Sequence, residues 1–149
     1  MKKSAFALFT LSTLFALFTL STSAQILNPV TFNYSAVKKG ADLYEVHIRA
    51  MVEPKWHIYS VKNPDGGAQA TEIKITDGSI VGKTKENGIM KTVFEKEFNV
   101  DQKYFENSVD FVQLVKLKKG AKITGTINYM VCNDKQCLPP KEVEFKIKM

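Results

Sequence analysis

The sequence predicts an all-β chain, a single immunoglobulin-like antiparallel β-sandwich. Three observations predict it. Short runs alternate apolar and polar residues with a period of two, turn signals separate them, and no stretch beyond the first 24 residues sustains a helical period. One polar and one apolar face per run marks half-buried antiparallel strands.

The runs come in order along the chain. Tyr44, Val46, Ile48, Ala50 and Val52 share one parity, with Glu45, His47 and Arg49 on the other. Ile73 and Ile75 alternate with Glu72 and Lys74. Further on, Ile123, Ile127, Tyr129 and Val131 alternate with Thr124, Thr126, Asn128 and Met130; last, Val143, Phe145 and Ile147 alternate with Glu144, Lys146 and Lys148. Between them stand "KKGAD" (38–42), "NPDGG" (63–67), "TDGS" (76–79), "KENG" (85–88), "KKGA" (118–121) and "NDKQ" (133–136). About seven strands of this kind suit an immunoglobulin-like sandwich. Residues 83–107, "KTKENGIMKTVFEKEFNVDQKYFEN", lack clean alternation. They read either as a long functional loop or as a strand pair with an insertion.

The first residues have a different purpose. Lys2 and Lys3 precede an apolar run from Ala5 to Leu20, and Thr22 and Ala24 place small residues before Gln25. This is the layout of a secretory signal peptide, residues 1–24. The apolar core is too short and too rich in hydroxyls for a membrane anchor, which needs about 20 apolar residues. The expected domain is then 25–149, exported to the periplasm, where a disulfide between the only two cysteines is permitted. Losing Lys2 and Lys3 lowers the net charge of +6 by two, and the remaining lysines alternate with acids along the strands. Nothing in that spread forms the basic stripe that nucleic-acid binding requires.

Both cysteines lie in "YMVCNDKQCLPP", Tyr129–Pro140. Asn133 to Gln136 form a natural turn, because Asn and Asp side chains bond their own backbone. Cys132 and Cys137 would then face each other across the mouth of a hairpin, within reach of a disulfide. As a staple the pair is weakly placed. A ring this short contributes only about 2 kcal/mol by chain entropy, and it joins neighbours that a hairpin already holds. By parity the Cys132 sulfur belongs on the outer face of the sheet, opposite Tyr129 and Val131. Pro139 and Pro140 cannot donate ladder hydrogen bonds, so the chain there runs at an edge or a bulge. Exchange needs a clear line to one sulfur, and this neighbourhood allows one. Local physics leaves both an exchanging and a structural disulfide open. The spacing is not the C-x-x-C of thioredoxin-like proteins, and the chain lacks their alternating β and α segments.

Two stretches carry a family resemblance: "EPKWHIYSVKNPDGGAQATEIKI" (53–75) and "GTINYMVCNDKQCLPPKEVEFKI" (125–147). The chain resembles the N-terminal periplasmic domain of the thiol:disulfide interchange protein DsbD over nearly all of residues 25–149. The resemblance implies an immunoglobulin-like fold with Cys132 and Cys137 as a redox pair that needs no cofactor and no metal. It makes Cys137, before Pro-Pro, the residue that forms mixed disulfides, and puts Tyr59 and Trp56 near the pair. The family's aromatic cap with its acid falls in "GIMKTVFEKEF", with Phe94 as the cap and Glu95 or Glu97 as the acid. The implied partners are thioredoxin-like redox proteins and a membrane thiol reductase, both met in trans. The loop between the cysteines is one residue shorter than in the best-known members.

The competing reading is an immunoglobulin-like periplasmic binding or chaperone module with an inert hairpin disulfide. His47 and His57 are not spaced for a zinc site with the cysteines and read as surface or partly buried residues. Trp56 and Ile58 read most economically as core. No Ser-His-Asp or paired-carboxylate pattern supports hydrolysis.

Overall fold

The computed structural model describes residues 27–96 and 99–148. The expected signal segment and Glu97 lie outside these residues. The described chain contains eleven strand segments: β1 (Val30–Lys38), β2 (Leu43–Val52), β3 (His57–Tyr59), β4 (Glu72–Ile75), β5 (Gly78–Asn87), β6 (Met90–Glu95), β7 (Val100–Phe105), β8 (Ser108–Leu117), β9 (Ile123–Tyr129), β10 (Val131–Cys132) and β11 (Lys141–Ile147). All pairings between them are antiparallel. They form sheets ordered β1-β2-β8-β5, β11-β9-β4 and β10-β3-β7-β6, an immunoglobulin-like sandwich whose third, small sheet carries the cysteines.

The alternation in the sequence is what folds it. Val46, Ile48, Ala50 and Val52 of β2 are all buried, while Arg49 is exposed. From the facing sheet, Ile123, Ile127 and Tyr129 of β9 and Phe145 and Ile147 of β11 enter the same core. Phe105 and Phe111, both fully buried, meet edge to face with centroids 6.4 Å apart, a geometry that suits two ring quadrupoles. Gly125 is required where β4 pairs with β9: a Cβ there would lie 2.1 Å from the Lys74 carbonyl oxygen and 2.8 Å from the Phe145 ring.

The strand count exceeds the expected seven for a physical reason. The alternation from Ile123 to Cys132 is one run in sequence, but the chain changes partner at Met130. Up to Tyr129 it pairs with β11; from Val131 it pairs with β3. The irregular segment 83–107 resolves into the end of β5 and the paired strands β6 and β7. Its lack of alternation reflects β6, an edge strand with Met90, Val93 and Phe94 exposed. β11 is also an edge strand and begins directly after Pro140, where the missing proline N–H groups cost no ladder bond.

Candidate functional site

The small sheet is made of short pieces held in register by longer neighbours. Ile58 pairs with Val131 on one side and Phe105 on the other, and all three enter the core. Opposed residues share a face and successive residues alternate. The pairs Cys132–His57 and Tyr59–Tyr104 therefore project from the opposite face. There the His57 ring lies 4.3 Å from the Tyr104 ring, centroid to centroid, and its Nε2 lies 3.2 Å from the Tyr59 hydroxyl.

Side chains fix the end of β3. Glu86, whose side chain is 1% exposed, accepts hydrogen bonds from Ser60 Oγ at 2.8 Å and from the Val61 N–H at 2.8 Å. Asn63 donates to the Ala68 carbonyl and to Gln102 Oε1, each at 2.7 Å, and accepts from the Lys103 N–H at 2.7 Å. Gln102 Oε1 also accepts from the Ala68 N–H, while its buried Nε2 has no partner among the described residues. Gly67 closes over that amide; a Cβ at Gly67 would lie 1.7 Å from Nε2.

Cys132 and Cys137 form a disulfide across an isolated antiparallel bridge. The turn between them is set by Asn133, whose Oδ1 accepts from the N–H groups of Lys135 and Gln136, both at 2.9 Å. The Asn133 N–H in turn donates to the Gln136 carbonyl, and Leu138 N–H donates to the Val131 carbonyl. The two sulfurs have unequal surroundings. Cys132 is 2% exposed, whereas Cys137 is exposed. Sequence parity assigns Cys132 to the face away from the core, and the register agrees. Its accessibility is the correction: the covered face leaves Cys137, not Cys132, on the open side. A half-open cavity of about 620 Å³ adjoins it, lined by Tyr59, Glu95, Gln102, Met130, Cys137 and the turn residues.

The other sequence-nominated residues separate. Tyr59 lines the cavity with Cys137, and Glu95, on the edge strand β6, lines it too. Phe94 stands 54% exposed on the alternate face of β6 and does not line it. Trp56 is buried in the core cluster. Sequence reasoning passed over Tyr104 and Gln102, which reach the site only through the pairing of β7. His57 was read from sequence only as a surface or partly buried residue, although its shared parity with Tyr59 was a usable signal that it borders the site.

Charge shapes the site modestly. Burial holds the His57 imidazole below its ordinary range, against the opposing pull of Glu106 and Asp134; Lys91 adds to the lowering. Burial raises the Tyr59 phenol, and Glu95 and Tyr104 raise it further. Among the described residues no group of three or more His, Cys, Asp or Glu side chains is arranged to hold a metal. No helix among them is long and apolar enough to cross a membrane. A larger cavity, about 870 Å³, lies at the far end of β9, where the fold gathers Lys118, Lys119, Lys122, Lys146 and Lys148. The lysines evenly spread in sequence thus form one local cluster, remote from the disulfide.

A β-sandwich with a one-sided disulfide at its end, beside an open cavity, defines the class: an immunoglobulin-like domain carrying a cysteine pair. Within that class the chain belongs to the family described as thiol:disulfide interchange protein DsbD, N-terminal, which it matches over residues 23–148. Solved structures agree on the fold. The chain is similar to the reduced N-terminal domain of DsbD from Neisseria meningitidis (17% identity, TM-score 0.61), covering 83% of this chain and 90% of that one. It is also similar to the N-terminal periplasmic domain of ScsB from Proteus mirabilis (15% identity, TM-score 0.62), covering 80% of this chain and 46% of that one. A third match is the complex between the DsbD and PilB N-terminal domains of Neisseria meningitidis (17% identity, TM-score 0.56), covering 82% of this chain and 87% of that one. No curated protein sequence matches the chain.

Proposed function

We propose that this chain is an exported thiol:disulfide exchange domain that relays electrons between a thioredoxin-like donor and periplasmic protein disulfides. The observation that carries the proposal is the asymmetry of the pair: one cysteine buried, the other exposed beside a cavity. Family membership supports it, and a protein partner for such a domain is supported by the Neisseria complex with a PilB N-terminal domain. In the reduced state the Cys137 thiolate attacks a partner disulfide, forming a mixed disulfide and releasing one partner thiolate. Cys132 then attacks Cys137, restoring the Cys132–Cys137 bond and releasing the second partner thiolate. The two cysteines lose two electrons and the partner disulfide gains two, so no cofactor enters. Tyr59 and Glu95 border the approach to Cys137. The signal segment, residues 1–24, directs the domain to the periplasm, where a membrane thiol reductase replenishes its electrons.

Equilibration of residues 25–149 in glutathione buffers, with free thiols quantified, tests this reading. A potential above about −300 mV is expected; a lower one suits a structural disulfide and a binding or chaperone module instead. Cys132→Ser, which leaves Cys137 free, is expected to trap a thioredoxin-like protein as a reducible adduct. Absence of an adduct removes Cys137 from the attacking role.

A further inference from the structure

We propose that His57 is the proton acceptor for the Cys132 thiol in the resolving step. The inference rests on the exchange reading above and adds a residue to it. Cys132 is the difficult partner of the pair. A thiol needs its thiolate form to attack, and burial in a 2% exposed position disfavours that charge. The residue directly opposite Cys132 in the ladder is His57, and directly opposed side chains stand about 5 Å apart at Cβ on the same face.

The imidazole is held for this task. Tyr104 packs against its ring at 4.3 Å, and the Tyr59 hydroxyl engages Nε2 at 3.2 Å. In the tautomer whose Nε2 proton is donated to that hydroxyl, the lone pair lies on Nδ1, the nitrogen nearer the backbone. The groups facing His57 come from every neighbouring element: Tyr59 of β3, Cys132 of β10, Lys91 of β6, Tyr104 of β7, Glu106 after β7, and Asp134 in the hairpin turn. Burial favours the neutral ring, the form that can accept a proton. Lys91, which opposes the charged ring, is itself tied to Glu106 at 2.6 Å. Glu106 and Asp134 are then positioned to favour the imidazolium once it forms.

The step balances. In the mixed disulfide, the Cys132 S–H bond breaks and its proton passes to His57. The sulfur attacks Cys137 Sγ, the Cys132–Cys137 bond forms, and the bond from Cys137 to the partner breaks. The partner sulfur leaves with the electron pair and is protonated by the imidazolium or by water.

Reduced residues 25–149 mixed with dithiobis(nitrobenzoate), a small aromatic disulfide, release coloured thiolate in two phases. The first is attack by Cys137; the second is resolution by Cys132. His57→Phe keeps a ring against Tyr104 but accepts no proton. It is expected to leave the first phase unchanged and to slow the second about a hundredfold at pH 7. Wild-type resolution should hold its rate down to below about pH 6.5, the ordinary histidine range. The variant's rate should climb with pH towards the thiol range near about pH 8.5. Equal pH profiles, or a slowing of the same factor at every pH, would overturn the assignment. If His57→Phe loses the first phase through misfolding, His57→Gln carries the same comparison. A wild-type protein that releases no thiolate in either phase removes the exchange reading itself.

Discussion

The two ends of this molecule's stability are built differently. The sandwich body, sheets β1-β2-β8-β5 and β11-β9-β4, is held by long strands of seven to ten residues with interlocking apolar faces, β4 excepted. The disulfide end rests on strands of three and two residues, β3 and β10, whose positions depend on Glu86, Asn63, Gln102 and Asn133. Apolar burial is non-directional and tolerates small shifts. Hydrogen bonds to specific backbone groups do not. The body supplies stability, and the polar frame supplies placement.

Substitutions should separate the two. Phe111→Ala, at a fully buried site in the body, is expected to cost about 3–5 kcal/mol, read as a lowered urea midpoint. It should leave the exchange rate of the folded fraction intact. Reducing the disulfide should cost only about 2 kcal/mol, again by urea titration. A much larger loss would make the bond a structural staple after all. Glu86→Gln keeps an acceptor near Ser60 and Val61 but loses the charge, at a cost of about 1–2 kcal/mol. Its clearer effect should be on the frame: faster amide exchange at Val61 and slower thiol exchange, with protection in β2 and β8 unchanged.

The smallest expected effect is a pH dependence. His57 titrates lower in the folded chain than in the unfolded one, so between its folded value and the ordinary histidine value of about 6.5 the unfolded state binds more protons. Its contribution to stability is complete above pH 6.5 and is lost as pH falls through the folded value. His57→Phe should flatten that part of the stability curve in urea titrations below pH 6.5.

The body was legible in the sequence and the site only partly so. Period-two patterning placed β2, β9 and β11 with their correct inward faces because each packs one side against a core. The turn at Asn133 was legible too, since an Asn side chain closing its own backbone is a local event. What stayed hidden was long-range. β3 carries too few residues for a period, and the burial of Cys132 depends on elements distant in sequence. The polar frame joins residues up to 40 positions apart, as Asn63 to Lys103 shows. Glu95 and Phe94 are adjacent in sequence, and only the pairing of β6 with β7 decides which of them borders the cavity.

The Asn133 carboxamide has a consequence for the open, dithiol form. Its two backbone hydrogen bonds and the Leu138–Val131 bond do not involve sulfur, so cleaving the disulfide frees two thiols without freeing the chain between them. Each sulfur then meets the other at an effective concentration far above that of any outside thiol. On the proposed exchange reading, a mixed disulfide on Cys137 would be short-lived by construction, and a partner let go almost as soon as it has been reduced.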